Sequence, residues 1–336
     1  MNKLTKIGAS ALCGSLAAVS ANAGDMTVSG GVDMSWISLP KERVGNPIGI
    51  GSNLSFAGSG ELDNGWSVAY SVDNTNAQAL SNARVVVTIP SMGDFRIDQG
   101  MSGTGIDRMD DMTPTVWEEA YGFGLGGGPN TVGGASTGSG IEFTPNMTPD
   151  GLTMRLHWTP KAGGSNAADK GSSADDSIRG SGYDITLEAT DAITGMDGLT
   201  LYGGYSHVDV AQNGTAHNDD AEEKTVGVKY AVGGFTLGYQ WSKEENGRAS
   251  TNTEYQNDGY GITFSINDDL SIGYNNYKSE RKSTTNTELE ASSIQIAYSM
   301  GGLSVRLADG STDNQNYTTG DANQRDATTL SVALAF

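Results

Sequence analysis

The segment LTMRLHW, residues 152–158, carries two different surfaces within seven residues. Leu152, Met154, Leu156 and Trp158 alternate with Thr153, Arg155 and His157. An extended chain sends successive side chains to opposite faces, so this segment is a strand with one apolar row and one polar, partly charged row. A helix would scatter the same residues around its axis. The alternation recurs in MTVSGGVDMSW (26–36), WSVAYSV (66–72), YDITLEA (183–189), FTLGYQW (235–241), YGITFSI (260–266) and the terminal TTLSVALAF (328–336). Sixteen such segments are expected. They start near Met26, Ile50, Trp66, Arg84, Phe95, Gly140, Leu152, Tyr183, Leu199, Thr225, Phe235, Gly259, Leu270, Ser292, Leu303 and Thr328.

The connections alternate too. Those after even-numbered segments are mostly short: DNG at 63–65, PSMGD at 90–94, VGG at 232–234, NDD at 267–269 and MGG at 300–302, with somewhat longer ones around Thr148 and Thr194. Those after odd-numbered segments are longer and polar, around Arg43, Asn76, Asp110, Gly171, Asn213, Asn246, Thr284 and Asn316. Tight turns at one end and loops at the other are what consecutive antiparallel strands produce.

A soluble sandwich turns its apolar rows inward, whereas a membrane barrel turns them to lipid and encloses the polar rows. The polar rows here carry Asp94, Arg96, Asp98, Arg155, Glu188 and Arg306. Aromatics sit near strand ends, at Trp36, Trp66, Trp158, Trp241, Tyr230 and Tyr298. Both features favour the barrel. Lipid offers no hydrogen bonds, so such a sheet must close on itself. A mean hydropathy of −0.36 is compatible with this, because only half of each strand touches lipid.

Composition narrows the function. The 336 residues include 47 Gly, 8 Pro and a single Cys, and the formal net charge is −20. Nucleic acid is excluded as a partner, since a phosphate backbone requires a basic face. Residues 1–23 have Lys3 and Lys6, a short apolar stretch and Ala21-Asn22-Ala23, the order of a cleavable secretory signal. The mature chain, 24–336, then reads as one barrel domain. Cys13 leaves with the signal, so no disulfides are expected.

With these segments on view, the chain resembles the Gram-negative general porins, nearest in style to the alphaproteobacterial type. The resemblance rests on MTVSGGVDMSW, on FAGSGELDNGWSVAYSV (56–72), on VVVTIPSMGDFRIDQG (85–100) and on LSVALAF (330–336). It implies a 16-stranded antiparallel transmembrane β-barrel in the outer membrane, a homotrimer, passive diffusion of small hydrophilic solutes, and a third loop folded inward as a constriction. A final aromatic such as Phe336 resembles the signal by which barrel assembly machinery recognises its clients. Lipopolysaccharide is the implied neighbour.

The third long connection, roughly Met101 to Ser139, fits the constriction. It carries Asp107, Asp110, Asp111, Glu118 and Glu119 against Arg108, while Trp117, Tyr121 and Phe123 could pack it against the wall. Carboxylates in a narrow throat concentrate cations. The family pattern places arginines opposite; the candidates are Arg84 and Arg96, with Arg155 and Arg306 inward-facing but of unknown position around the ring. The plainer reading of each arginine is a solvated lumen residue, and of the carboxylates a solvated external loop. Acidic runs at 107–111 and 217–223 offer oxygen ligands for Ca²⁺ but lack the spacing of a calcium loop. Solvated loops that meet lipopolysaccharide through divalent ions are the simpler reading. His157, His207 and His217 are scattered, so no cofactor and no transition-metal site is expected. A channel, not an enzyme, is the leading reading. The alternatives are a substrate-selective channel for sugars, amino acids or polyamines, a barrel hydrolase using His157 or His207 with serines such as Ser206, and an adhesin or structural barrel.

Overall fold

The structure, a computed structural model, describes residues 26–38, 46–76, 82–99, 103–123, 125, 128–135, 139–162, 178–211, 219–247, 253–283 and 286–336. The expected signal segment lies outside the described residues, as do Arg43, Gly171, Asn213, His217 and Thr284.

Sixteen strands run in chain order: β1 Met26–Ser38, β2 Ile48–Glu61, β3 Ser67–Thr75, β4 Asn82–Ile89, β5 Gly93–Gln99, β6 Ser139–Pro145, β7 Leu152–Thr159, β8 Arg179–Ala189, β9 Leu199–Val210, β10 Ala221–Val232, β11 Phe235–Glu245, β12 Glu254–Ser265, β13 Leu270–Lys282, β14 Thr287–Met300, β15 Leu303–Asp313 and β16 Arg325–Ala335. Each pairs antiparallel with its sequence neighbours, and β1 pairs with β16 to close the barrel. Past the last paired strand residue, Phe336 and Gly30 exchange backbone hydrogen bonds of 3.0 Å each way. The terminal aromatic is therefore part of the seam.

The rows divide as the alternation requires. Ile50, Ile97, Val226 and Ile294 are 70 %, 51 %, 55 % and 66 % exposed, while Gln240, Asn257 and Ser331 are at most 1 % exposed. This is the reverse of a soluble core. Lipid, not water, is the solvent that makes such an outer surface stable. Paired aromatic rings stack on the apolar face near the short-turn end, Phe95 on Phe143 and Phe235 on Phe264, both at 4.4 Å.

The short turns are built locally. At 62–66 the Leu62 N–H donates to Trp66 O and the Gly65 N–H to Leu62 O, with Gly65 at φ +79°, a conformation glycine adopts without a Cβ penalty. At 267–270 the Asn267 side chain accepts from the N–H groups of Asp269 and Leu270. The connection around Thr194 is longer because it forms a one-turn helix, Asp191–Thr194, ended by Gly195 in the left-handed region.

Candidate functional site

Across the barrel from β5 to β13, the register aligns one lateral row of polar side chains. It runs Arg96, Glu142, His157, Asp184, Ser206, Glu223, Glu244, Tyr255 and Arg281, each opposite the next. All lie on the face opposite to the exposed apolar rows. Three of its carboxylates are almost fully buried: Glu142 at 4 %, Asp184 at 1 % and Glu223 at 4 %. Buried charge is costly unless it is met by donors, and the donors come from the third long connection.

The outgoing limb of that connection begins with a 3₁₀ turn, Gly105–Met109. Glu142 accepts from the Gly105 N–H at 2.7 Å and from the Arg108 guanidinium at 2.6 Å. Asp184 accepts from the Ile106 N–H at 3.2 Å. The returning limb uses the same row. Its Ala135 N–H reaches the other Asp184 oxygen at 3.1 Å, and the Gly133 and Gly134 N–H groups both reach Glu223 at 2.7 Å. Gly105 and Gly134 have φ of +54° and +57°, and a Cβ on either would collide with Asp184. Glycine is the residue that can bring the backbone this close.

Between the limbs the connection crosses further strands. The Gln240 side chain donates to Met109 O at 2.5 Å, and Gln295 both accepts from the Trp117 N–H at 3.0 Å and donates to Glu118 O at 2.5 Å. Asn257 donates to Asn130 O at 2.9 Å, and Thr329 on β16 donates to Phe123 O at 3.3 Å. The wall beneath is hollowed by glycine. A Cβ on Gly204 would meet Ile106 and Met109, one on Gly238 or Gly261 would meet Pro114, one on Gly273 would meet Val116, and one on Gly310 would touch Phe123. The expected aromatic packing is present. Trp117 and Phe123 lie 5.1 Å apart, and Tyr121 meets Tyr277 edge-on at 5.2 Å. Ala120 packs with Leu289, Ala291 and Tyr317.

The five carboxylates named from sequence share one electrostatic neighbourhood. Asp107 accepts the Gly103 N–H at 2.5 Å and feels Asp111; Asp110 feels Asp111 and Asp107; Glu119 feels Glu118 and Asp111. Burial first, then the like charges around Asp110 and the Glu118 hydrogen bond to Glu119, pushes the Asp110 and Glu119 carboxyls up to about 8, and burial also raises Asp107.

The wall arginines are only partly grouped. Arg84 and Arg96 both reach Asp98, at 3.4 and 2.6 Å, and Arg96 also donates to Gly103 O. Arg155 lies in the field of Arg108, Arg96, Glu142 and Glu188. Arg306 is elsewhere, on β15, 3.3 Å from Asp33 and above the Trp117 ring. In the sequence Arg108 stands only against the loop's acids. The structure adds it to the basic group through Glu142. Glu142 and Asp184 carry no local signal in the sequence, and Glu223 counts there only as the last member of the acidic run 217–223. Period-two alternation puts them on the polar rows, but only the register between strands shows that they are neighbours.

Ser206 and His207 are adjacent in sequence and therefore on opposite faces, Ser206 1 % exposed on the polar row and His207 on the apolar side. They do not form a nucleophile–base pair.

The Gram-negative porin family model matches residues 8–336. No curated protein matches the chain. Among solved structures, OmpF of Salmonella typhi in complex with daunomycin superposes with a TM-score of 0.67 at 12 % identity, covering 95 % of this chain and 100 % of that one. Outer-membrane expressed OmpT of Vibrio cholerae gives 0.64 at 11 % identity, with 95 % and 100 % covered. A mutant of the Rh. blastica porin gives 0.59 at 15 % identity, with 93 % and 100 % covered. At these identities the likeness is one of fold.

Proposed function

The chain belongs to the family of Gram-negative porins, and from that premise we propose that it is a cation-selective general diffusion channel of the outer membrane. It passes small hydrophilic solutes and ions without chemistry, so no catalytic group is assigned. The third long connection is its inward-folded constriction. The observation that carries this reading is the gathering of Asp107, Asp110, Asp111, Glu118 and Glu119 in one neighbourhood of that connection. The basic side of the proposed throat is Arg84, Arg96 and Arg155, joined by Arg108 of the connection itself, and it is partly balanced by Asp98, Glu142 and Glu188. Excess negative potential in a narrow opening raises the local cation concentration and repels anions. Arg306 is separate from that basic group, held between Asp33 and the Trp117 ring of the connection.

The same reading includes export by the segment 1–23, recognition of Phe336 by the barrel assembly machinery, a lipopolysaccharide surround and assembly as a homotrimer. In planar bilayers under a KCl gradient, the zero-current potential takes the sign of cation preference, and insertions show conductance steps in threes. An anion-signed potential would defeat the assignment.

The preference also depends on pH. Acids whose carboxyls are held near 8 are neutral below that value and charged above it. Cation preference therefore increases as the pH rises through about 8, as Asp110 and Glu119 ionise. Zero-current potentials recorded between pH 6 and pH 10 should move monotonically. A flat curve would mean that neither carboxyl faces the permeating ions.

A further inference from the structure

At the outer ends of β9 and β10, on the apolar side of the wall, three ligating side chains converge. His207 shares its row with Leu201 and Tyr205, and Asp220 continues the row of Glu222, Lys224 and Val226. Nε2 of His207 lies 3.6 Å from Oδ1 of Asp209 and 3.6 Å from Oδ2 of Asp220. All three ligand atoms lie within 4.8 Å of one another. We propose that His207, Asp209 and Asp220 form a binding site for a divalent transition-metal ion, of which Zn²⁺ is the model, on the outer rim of the barrel.

The separations carry the argument. At 3.6 Å neither contact is a hydrogen bond, for which N···O distances run to about 3.2 Å. Atoms bound at 2.0–2.2 Å to one tetrahedral ion stand roughly 3.3–3.5 Å apart, close to what is observed. The ligands are also oriented from outside the cluster. The Ser181 hydroxyl donates to the far oxygen of Asp209 at 2.6 Å, and the Val210 N–H to the far oxygen of Asp220 at 3.2 Å. Each carboxylate thus keeps one oxygen fixed and turns the other toward His207. The imidazole ring stacks on Tyr183 at 5.4 Å and 29°, which sets its plane. Outer contacts of this kind are how proteins hold metal ligands in position. An imidazole suits Zn²⁺, Cu²⁺ or Ni²⁺, whereas Ca²⁺ and Mg²⁺ take oxygen ligands. Asp209 and Asp220 are about half exposed, so the site opens directly to its surroundings. A third protein ligand leaves at least one coordination position for water or an external oxygen.

The test is calorimetric titration of the folded, detergent-solubilised full chain with ZnCl₂, with Co²⁺ absorption as a second readout. One saturable Zn²⁺ per barrel is expected, unaffected by equimolar Ca²⁺. H207A and the double variant D209N/D220N should each weaken binding by at least about tenfold, and S181A by a smaller factor. H217A should leave it intact. Heat-modifiable gel mobility checks that each variant retains the barrel. No saturable binding, unchanged affinity in H207A, displacement by equimolar Ca²⁺, or loss in H217A would each overturn the proposal.

Discussion

Replacing Asp107, Asp110, Asp111, Glu118 and Glu119 together by their amides is expected to reverse the ion preference of the channel. Amides keep the volume and the hydrogen-bonding reach of the side chains, so the aperture is conserved while its charge is removed. What remains is the basic group of Arg84, Arg96, Arg108 and Arg155, balanced in part by Asp73, Asp98, Glu142 and Glu188. Two unit charges about 4 Å apart interact by about 4 kcal/mol at an effective dielectric of about 20. Each ~1.4 kcal/mol changes occupancy tenfold. Above about pH 8, where Asp110 and Glu119 are ionised with the rest, five charges therefore outweigh any plausible change in width. In a tenfold KCl gradient at low ionic strength, the zero-current potential should change sign. At about 1 M salt, where screening shortens to about 3 Å, conductance should stay near that of the parent. A variant that keeps the parental potential would locate the filter elsewhere than on this connection.

The second large effect concerns the anchors. Asp184 and Glu223 together accept four backbone N–H groups from the two limbs of the third connection. Hydrogen bonds to a charged acceptor contribute about 1.5–3 kcal/mol each. Truncating both residues to alanine removes several kcal/mol from the docked state, which corresponds to a population shift beyond about a hundredfold. The strand ladders are untouched, so the barrel should remain heat-stable. In the D184A/E223A variant the connection should become sensitive to protease, and single-channel conductance should rise with added flicker. Asp184→Asn and Glu223→Gln, which keep an acceptor oxygen, should show intermediate behaviour. An unchanged conductance with an unchanged cleavage pattern would mean that the remaining contacts, through Gln240, Gln295 and Asn257, suffice to hold the connection.

How much of this was legible in the sequence depends on which end of a strand is considered. Most strands at the short-turn end start where the apolar alternation starts: the expected Leu152, Leu199, Phe235, Leu270 and Leu303 are the observed first residues, while β3 begins at Ser67 instead of Trp66 and β5 at Gly93 instead of Phe95. Strands that follow long connections begin earlier than expected, at Arg179 instead of Tyr183, Ala221 instead of Thr225, Glu254 instead of Gly259, Thr287 instead of Ser292 and Arg325 instead of Thr328. The reason is physical. At that end the outer row is no longer apolar. Lys243 pairs with Glu254 at 3.1 Å, Lys282 with Glu254 at 3.5 Å and Lys278 with Glu290 at 3.1 Å, so the ladder continues under an ionic surface that carries no hydrophobic signal. The acidic group of the connection was readable because its members are close in sequence. The row formed by Glu142, Asp184 and Glu223 was not, because each residue looks like any other polar position until register places them side by side. The same applies to His207, which alternation puts on the lipid side but only the β9–β10 pairing brings to Asp220.

The glycines beneath the third connection have a consequence for the bore. A barrel wall ordinarily carries a layer of side chains one residue deep, and anything resting on it stands off by that depth. At Gly204, Gly238, Gly261 and Gly273 the layer is missing, and Ile106, Pro114 and Val116 settle into the gap. In the proposed channel, the clearance left for a permeating molecule is thus decided as much by what these four strand positions lack as by what the connection carries. Methyl groups added there would lift the connection toward the axis, making the strands themselves the gauge of the opening.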